Sequence, residues 1–520
     1  MNLKIFTESR WRSHWIIILI SALFISVLGC EDQSLKVDMS LIVEGGEASQ
    51  HVQDQTIVDF ESEDAAPVER DQEIVEIDLG PLLDMGQRLH SPREAPPSTQ
   101  GMTSPSGLRW LRGVIHMHSS HSHDACDGDP RPNGVPNKPC LEQLRTALCK
   151  VKMDYILLTD HPTHFNEISF EEALLFEEEE GDVKIFNEQE ELVGNQITCP
   201  NGDTVLVAPG SEGELMPVLL QRRPTDDRFY GDRSPESVIG LKEAGALVLH
   251  AHTEQRTFEE LWPLGLDGFE IYNLHANVNP RGPQLRQVLP DMSLLINSGI
   301  DGPHPDLSLL AILLESDIAL SIWDQFIAHR ATLGFAGSDI HQNLPPLFET
   351  HDGERLDSYR RLMTWFSNYV LVTEKSLAGV RDALSLGRLA VVFHLLGEPY
   401  GLDFSLSDES GQRLEMGSET RFTEGLRLNF TPPLPPEGSS LSARVLRINS
   451  STPDRLSEVN SIIVYEGSTQ ASIEISEPGA YRLEVRLTPE HLRRELGELA
   501  DRFIKPMIWI YTNPIYIRAD

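Results

Sequence analysis

The sequence predicts a parallel α/β barrel followed by a smaller all-β sandwich, and three observations carry that reading. Between Leu108 and about Phe393, short apolar runs rich in β-branched residues alternate with helix-like stretches. After about Glu398 the texture becomes period-two alternation punctuated by Gly, Pro and Asn, as in "GLRLNFTPP", "NSIIVYEG" and "GAYRLEVRLT". The third observation is that His, Asp and Glu residues stand at the ends of several predicted strands in the first region. The expected boundaries are 1–29 for a leader, 30–104 for a tether, 105–397 for the barrel and 398–520 for the sandwich.

The leader comes first. Lys4, Arg10 and Arg12 precede "WIIILISALFISVLGC", an apolar run of about fifteen residues, short for a membrane span and right for a secretory core. It ends in Val27-Leu28-Gly29-Cys30, which resembles a bacterial lipobox and implies cleavage before Cys30 and lipidation of that residue. An uncleaved anchor helix is the alternative. Either way the bulk of the chain lies outside the cytoplasm, as a cell-envelope lipoprotein held to a membrane through Cys30. Glu31 in place of Asp favours the outer membrane. From Glu31 to about Ser104 the sequence is acidic and broken by Pro, Gly, Ser and Gln, with no sustained period, as expected of a disordered tether.

The formal net charge is -37. Such a surface repels nucleic-acid backbones and anionic lipid, so no nucleic-acid binding is expected beyond a substrate. Outside the cytoplasm, the even set Cys126, Cys140, Cys149 and Cys199 reads as two disulfides rather than a thiolate metal site. Three pairings exist. Cys126–Cys140 is favoured because "CDGDPRPNGVPNKPC" has no evident core of its own, which leaves Cys149–Cys199. Closing a loop of about 15 residues is worth roughly 3 kcal/mol in the chain-entropy model.

The stretch "GVIHMHSSHSHDACDG", from Gly113, opens the predicted barrel. His116 and His118 end one predicted strand, Asp160 and His161 follow "YILLT", and Glu212 follows "LVAPGS". His252 ends "ALVLHAH", Glu270 and Asn273 lie on "FEIYN", and Asp339 and His341 close "GFAGSDIH". In a parallel barrel the C-terminal strand ends converge on one mouth, and residues i and i+2 share a strand face. His116 with His118, and Asp339 with His341, can therefore serve one ion as pairs. Imidazoles and carboxylates without thiolate suit Zn, Mn or Fe. His121 reads as a solvent-facing loop residue, and His164, His275 and His394 as structural. Glu270 and Asn273 read as groups that orient ligands. The "FEEEEGD" run reads as a solvated insertion, and Asp127 with Asp129 as a polar turn.

In this order, "HMHSSHSHD", "LTDH", "PGSE", "AHT" and "GSDIH" resemble the PHP (polymerase and histidinol phosphatase) superfamily, and the β-rich C-terminus ending in "TNPIY" is similar to its extracytoplasmic, CehA-like branch. The resemblance covers about residues 108–393. It implies a distorted (β/α)7 barrel, two or three divalent metals, and hydrolysis of phosphoesters. Matched residue by residue, it implies the metal ligands His116, His118, His123, His161, Glu212, His252, Asp339 and His341. Asp124 is the rival of His123. Thr253 stands where the family often has proline. No clear equivalent exists for the extra histidine of three-metal members, a place His250 could fill, so two metals are the expected count.

The implied activity is hydrolysis of phosphate mono- or diesters by a metal-activated water, with Asp160, Asp339 or His341 as the proton donor and Arg256 clasping a phosphate oxygen. The substrate would be a small-molecule or polymer-derived phosphoester. Two other readings stay open: a metal-dependent hydrolase of an ester or carbamate, and a non-catalytic surface lipoprotein that binds through its β-region.

Overall fold

The computed structural model describes Arg93 and residues 95–274, 285–296, 299, 302–344, 349–452 and 455–519. The leader, Cys30, residues 30–92 and His275 lie outside the described residues. Among the described residues, no helix is long and apolar enough to cross a membrane.

Among the described residues, the first region has eleven strands: β1 (Arg109–Met117), β2 (Tyr155–Leu157), β3 (Val183–Phe186), β4 (Leu192–Thr198), β5 (Thr204–Ala208), β6 (Met216–Val218), β7 (Leu247–His250), β8 (Gly268–Asn273), β9 (Leu333–Ile340), β10 (Ser367–Val372) and β11 (Leu389–Val392). Six of them form one parallel run in the order β7-β8-β9-β1-β2-β5. The short β6 pairs antiparallel with β7 and meets the end of β5 through the Gly210–Val218 bridge, which completes a ring. The ring is buried because its strands read as apolar runs: every residue of β2, β7, β8 and β9 except Leu247 is buried.

Helix Lys138–Lys150 shows how the outer layer is specified. Asn137 caps it by accepting the Cys140 N–H at 3.2 Å, and Pro139 occupies the first turn. Cys140, Leu144 and Leu148 repeat every four residues, so one stripe packs on Ile156, Val205 and Val207 of the sheet. Both expected disulfides are present, Cys126–Cys140 and Cys149–Cys199, and they tie the two ends of this helix to its surroundings.

Among the described residues, the second region has ten strands: β12 (Asp403–Ser407), β13 (Arg413–Glu415), β14 (Glu419–Arg421), β15 (Arg427–Thr431), β16 (Ser440–Ser450), β17 (Val459–Gly467), β18 (Ala471–Glu474), β19 (Gly479–Thr488), β20 (Met507–Thr512) and β21 (Ile515–Arg518). Four of them form a separate sheet in the order β13-β12-β15-β18. The other strands of this region join the barrel sheet. β10 and β11 extend the barrel sheet from β1, and β20 then pairs with β11, so β20, β19, β16 and β17 continue the same sheet. The physical reason is edge coverage: the free edge of β11 is satisfied by β20 rather than left to solvent.

One local expectation differs. The end of the sequence-defined tether is packed: Thr99 is buried and its hydroxyl donates to Asp154 at 2.6 Å, while Arg112 donates to the Pro97 carbonyl at 3.2 Å. The acidic run near residue 180 is solvated as expected, with Glu177 to Glu180 exposed; only Asp182 at its end is buried, where Arg145 makes two hydrogen bonds to it, at 2.8 and 2.9 Å.

Candidate metal centre

The parallel run opens all its C-terminal strand ends on one mouth. His116 is on β1 with His118 just beyond it, His161 and Glu212 follow β2 and β5, His252 follows β7, and Asp339 lies near the end of β9 with His341 after it. The structure brings all of these together.

Two sets of side chains place their ligand atoms within 4.8 Å of one another: His116, Glu212, His252 and Asp339 in one, and His118, His161 and His341 in the other. Two carboxylates join the sets. Glu212 Oε2 lies 3.2 Å from His116 Nε2, 3.3 Å from His118 Nε2 and 3.6 Å from His161 Nδ1. Asp339 Oδ1 lies 3.2 Å from His116 Nε2 and 3.3 Å from His118 Nε2, and Glu212 Oε1 is 3.1 Å from His252 Nε2. Asp124, the rival of His123, reaches between His161 and His341, at 3.5 and 3.3 Å. His123 is exposed, with its ring 5.0 Å from that of His161, and forms a third possible ligand set with Asp124 and His161.

The disulfide loop is what carries Asp124 to this position. Next to Cys126–Cys140, the Cys126 and Asp127 amides donate to the His341 and Gln342 carbonyls, both at 3.0 Å, and Asn343 donates to the Asp124 carbonyl.

The imidazoles are oriented from behind. His116 Nδ1 meets Glu270 Oε1 at 2.5 Å, and His118 Nδ1 meets Ser122 Oγ at 2.9 Å. His161 Nδ1 faces the Glu212 carbonyl at 2.9 Å, and His341 Nδ1 the Asp339 carbonyl at 3.0 Å. An acceptor behind Nδ1 leaves the Nε2 lone pair for the centre, the arrangement that metal-ligating histidines adopt. Glu270 does more than hold His116: its Oε2 accepts the His252 amide at 2.6 Å and the Asn273 side chain at 2.9 Å. Only glycine at 337 permits this, since a Cβ there would lie 1.7 Å from Glu270 Oε1.

Backbone strain falls on the same residues. His116, His252 and Asp339 have φ of 66°, 51° and 51°, in the left-handed region that costs non-glycine residues energy. Three residues of one ligand set share this geometry, which aims their side chains inward at the cost of local stability.

The electrostatics of the cluster favour positive charge. Burial works against protonation of His116, but Glu212, Asp339 and Glu270 outweigh it and raise its pKa well above the usual histidine value. His161 and His252 are likewise raised against burial, to about 9 by Asp124 and Glu212 and to about 10 by Glu212 and Asp339. Glu212 is held well below the usual carboxylate range despite burial, by His116 and its neighbours. These carboxylates demand positive charge, and divalent cations supply it in place of protons. The residues fit such ions: the Nε2 atoms of His116 and His118 are buried without a hydrogen-bond partner, between two carboxylates.

No protein-family model and no curated protein matches the chain. Three solved structures resemble it distantly. One is a two-domain protein containing a predicted PHP-like metal-dependent phosphoesterase from Bacteroides vulgatus ATCC 8482, 16% identical, with a TM-score of 0.30 over 76% of this chain and 94% of that one. A lesion-specific endonuclease from Pyrococcus furiosus is 12% identical, with a TM-score of 0.29 over 59% of this chain and 64% of its own. PsfC from Pseudomonas syringae PB-5123 is 12% identical, with a TM-score of 0.28 over 51% of this chain and 83% of its own. Likeness at this level fixes neither fold nor activity, so the reading of the site stands on the residues of this chain.

The expected catalytic groups are placed as follows. Asp160 accepts the Ser119 amide at 2.6 Å and the Ser119 hydroxyl at 2.8 Å, while its carbonyl accepts Ser211 Oγ; it fastens the loops after β1, β2 and β5. His341 and Asp339 are inside the cluster. Arg256 lies at the rim, 3.4 Å from Glu214. His250 belongs to neither ligand set; it is buried, and burial and the Arg256 charge lower its pKa to about 3. His121, expected to face solvent, is only 1% exposed and contacts Arg131 at 3.3 Å. His394 is buried against the Met363 carbonyl. Ser122 was missed in the sequence; its spacing four residues after His118 is the signal that could have found it, since the hydroxyl bonds both His118 and the His161 amide.

Proposed function

We propose that the chain is a metal-dependent phosphoesterase built on a PHP-type barrel, acting on phosphate mono- or diesters. The observation that carries the reading is the pair of buried, unpartnered Nε2 atoms of His116 and His118 facing Glu212 and Asp339. His116, Glu212, His252 and Asp339 would hold one divalent ion, and His118, His161 and His341 with Asp124 a second; His123 gives room for a third. Bound there, Zn, Mn or Fe supplies Lewis acidity and countercharge for a phosphoryl group. The protein's own contribution is preorganisation. Glu270 fixes His116 and the His252 backbone, Asp160 and Ser119 lock the loops, and the buried walls keep bulk water from screening the charges.

The test is turnover of p-nitrophenyl phosphate and bis-p-nitrophenyl phosphate by the purified chain with Mn²⁺ or Zn²⁺, beside acyl and carbamate esters. Phosphate hydrolysis abolished by a chelator supports the reading. Hydrolysis of the carbon esters alone would replace it with a carbonyl hydrolase, and metal binding without any turnover would replace it with a binding protein.

We also propose that the protein is anchored in the cell envelope by lipidation of Cys30, in the outer membrane and facing away from the cytoplasm. Cys30→Ala should abolish lipid labelling and release the chain to the soluble fraction; unchanged fractionation and labelling would refute the anchor.

A further inference from the structure

We infer that Arg233 and Arg256 form a subsite for a second anionic group of the substrate, beside the metal centre. The inference rests on the phosphoesterase reading and narrows it to phosphoesters whose alcohol portion carries a carboxylate or a further phosphate.

The loop after β5 makes the connection. Glu212 enters the metal cluster, and Glu214, two residues on, turns to the rim, its amide donating to the Tyr230 carbonyl at 3.1 Å. Gly213 lets the loop lie this close, since a Cβ would be 2.3 Å from that same carbonyl. At the rim, Glu214 Oε2 receives Arg233 at 3.1 Å and Arg256 at 3.4 Å. Two guanidiniums thus share a single carboxylate oxygen, in a protein whose formal net charge is -37. Glu214 is 46% exposed, so a ligand can compete with it.

Buried polar groups without partners gather in the same stretch. Arg256 Nε, Thr253 Oγ1 and both ring nitrogens of His250 are buried and lack a hydrogen-bond partner among the described residues. His250 is 3% exposed and lies within electrostatic reach of both Arg256 and Arg233. Buried polar groups are nearly always satisfied, so several orphaned groups within seven residues call for a partner from outside the protein. Glu254, whose Oε1 is also unpartnered, lies towards the centre, 3.9 Å from His252 Nδ1. The stretch 250–256 therefore runs from the metal cluster, through His252, to a cationic rim. An anion held by guanidiniums takes paired, charge-assisted hydrogen bonds. Glu214 is the internal carboxylate that such a group displaces.

The experiment uses the metal-loaded chain and non-hydrolysable probes, with binding read by calorimetry. Propylphosphonate carries one anionic group; 3-phosphonopropionate and 4-phosphonobutyrate add a carboxylate, and propane-1,3-bisphosphonate adds a second phosphonate. We expect at least one two-anion probe to bind about tenfold more tightly than propylphosphonate. The better arm identifies carboxylate or phosphate as the partner. Arg233→Gln should bring that ratio close to one, whereas Arg228→Gln, at an exposed arginine paired with Asp226, should leave it in place. Glu214→Gln should raise the ratio by removing the internal competitor, a gain that misfolding cannot produce. Equal binding of one- and two-anion probes, or a ratio indifferent to both Arg233→Gln and Glu214→Gln, would overturn the subsite. Turnover of p-nitrophenyl phosphate in the unaltered chain reports separately on the phosphoesterase reading, so either claim can fail while the other stands.

Discussion

In the C-terminal sheets, buried Arg482 donates to Asp324 at 3.0 and 3.1 Å and to Glu484, and Glu484 also takes Arg444 at 2.6 Å. At the barrel mouth, by contrast, His116 and His118 keep buried Nε2 atoms without a hydrogen bond, and three ligand residues carry left-handed backbone. Both regions bury charge, which is costly unless every group is paired. The first arrangement is closed and holds the sheets to helix Asp317–Ile327. The second is complete only when something cationic joins it. Full pairing marks a strut, and incomplete pairing combined with strain marks a site.

That contrast can be broken most sharply at the mouth. His116→Ala with His118→Ala should lower kcat/KM for p-nitrophenyl phosphate by at least about 1,000-fold, while circular dichroism shows the β-region intact. A retained rate would mean the cluster is not where chemistry occurs. At the strut, Arg482→Met should cost about 3–5 kcal/mol by leaving Asp324 and Glu484 buried and uncompensated, measured by denaturant unfolding, with metal content unchanged. Loss of metal in that variant would show the two regions to be coupled.

Smaller changes sharpen the comparison. Gly337→Ala should push the Glu270 carboxylate off His116 and weaken metal affinity about 10- to 100-fold. An unchanged metal dissociation constant would remove Glu270 from the account. The smallest effect is expected at Asp182. Burial pushes its pKa up, but the Arg145 hydrogen bonds outweigh this and hold it below the usual value. A depressed folded pKa adds stability above the unfolded value near 4, and that stability is lost as pH falls through the folded value. Asp182→Asn should therefore cost about 1.5 kcal/mol at pH 7, and the gap to the unaltered chain should close towards pH 3. A gap independent of pH would rule out the ion pair as its source.

What the sequence made legible follows from the range of the forces involved. Strand ends bearing His116, His161, Glu212, His252 and Asp339 were readable because parallel topology sends them to one mouth. The Cys126–Cys140 bridge was readable because it closes a short loop lacking a core. The bridging position of Asp124 was not, since neighbouring residues of one loop differ only in how the disulfide and Asn343 turn them. The grip of Glu270 on His116 crosses from β8 to β1 through a space only Gly337 leaves, and no local pattern announces it. Period-two alternation announced the C-terminal strands without naming their partners, so the join of β20 to β11 stayed hidden.

The central claim is that histidines and carboxylates from five strand ends share divalent ions. Elemental analysis of the purified chain tests it directly: we expect about two divalent ions per chain, falling to near zero in the His116→Ala, His118→Ala variant. A chain that carries no metal, or a double variant that keeps it all, would contradict the account.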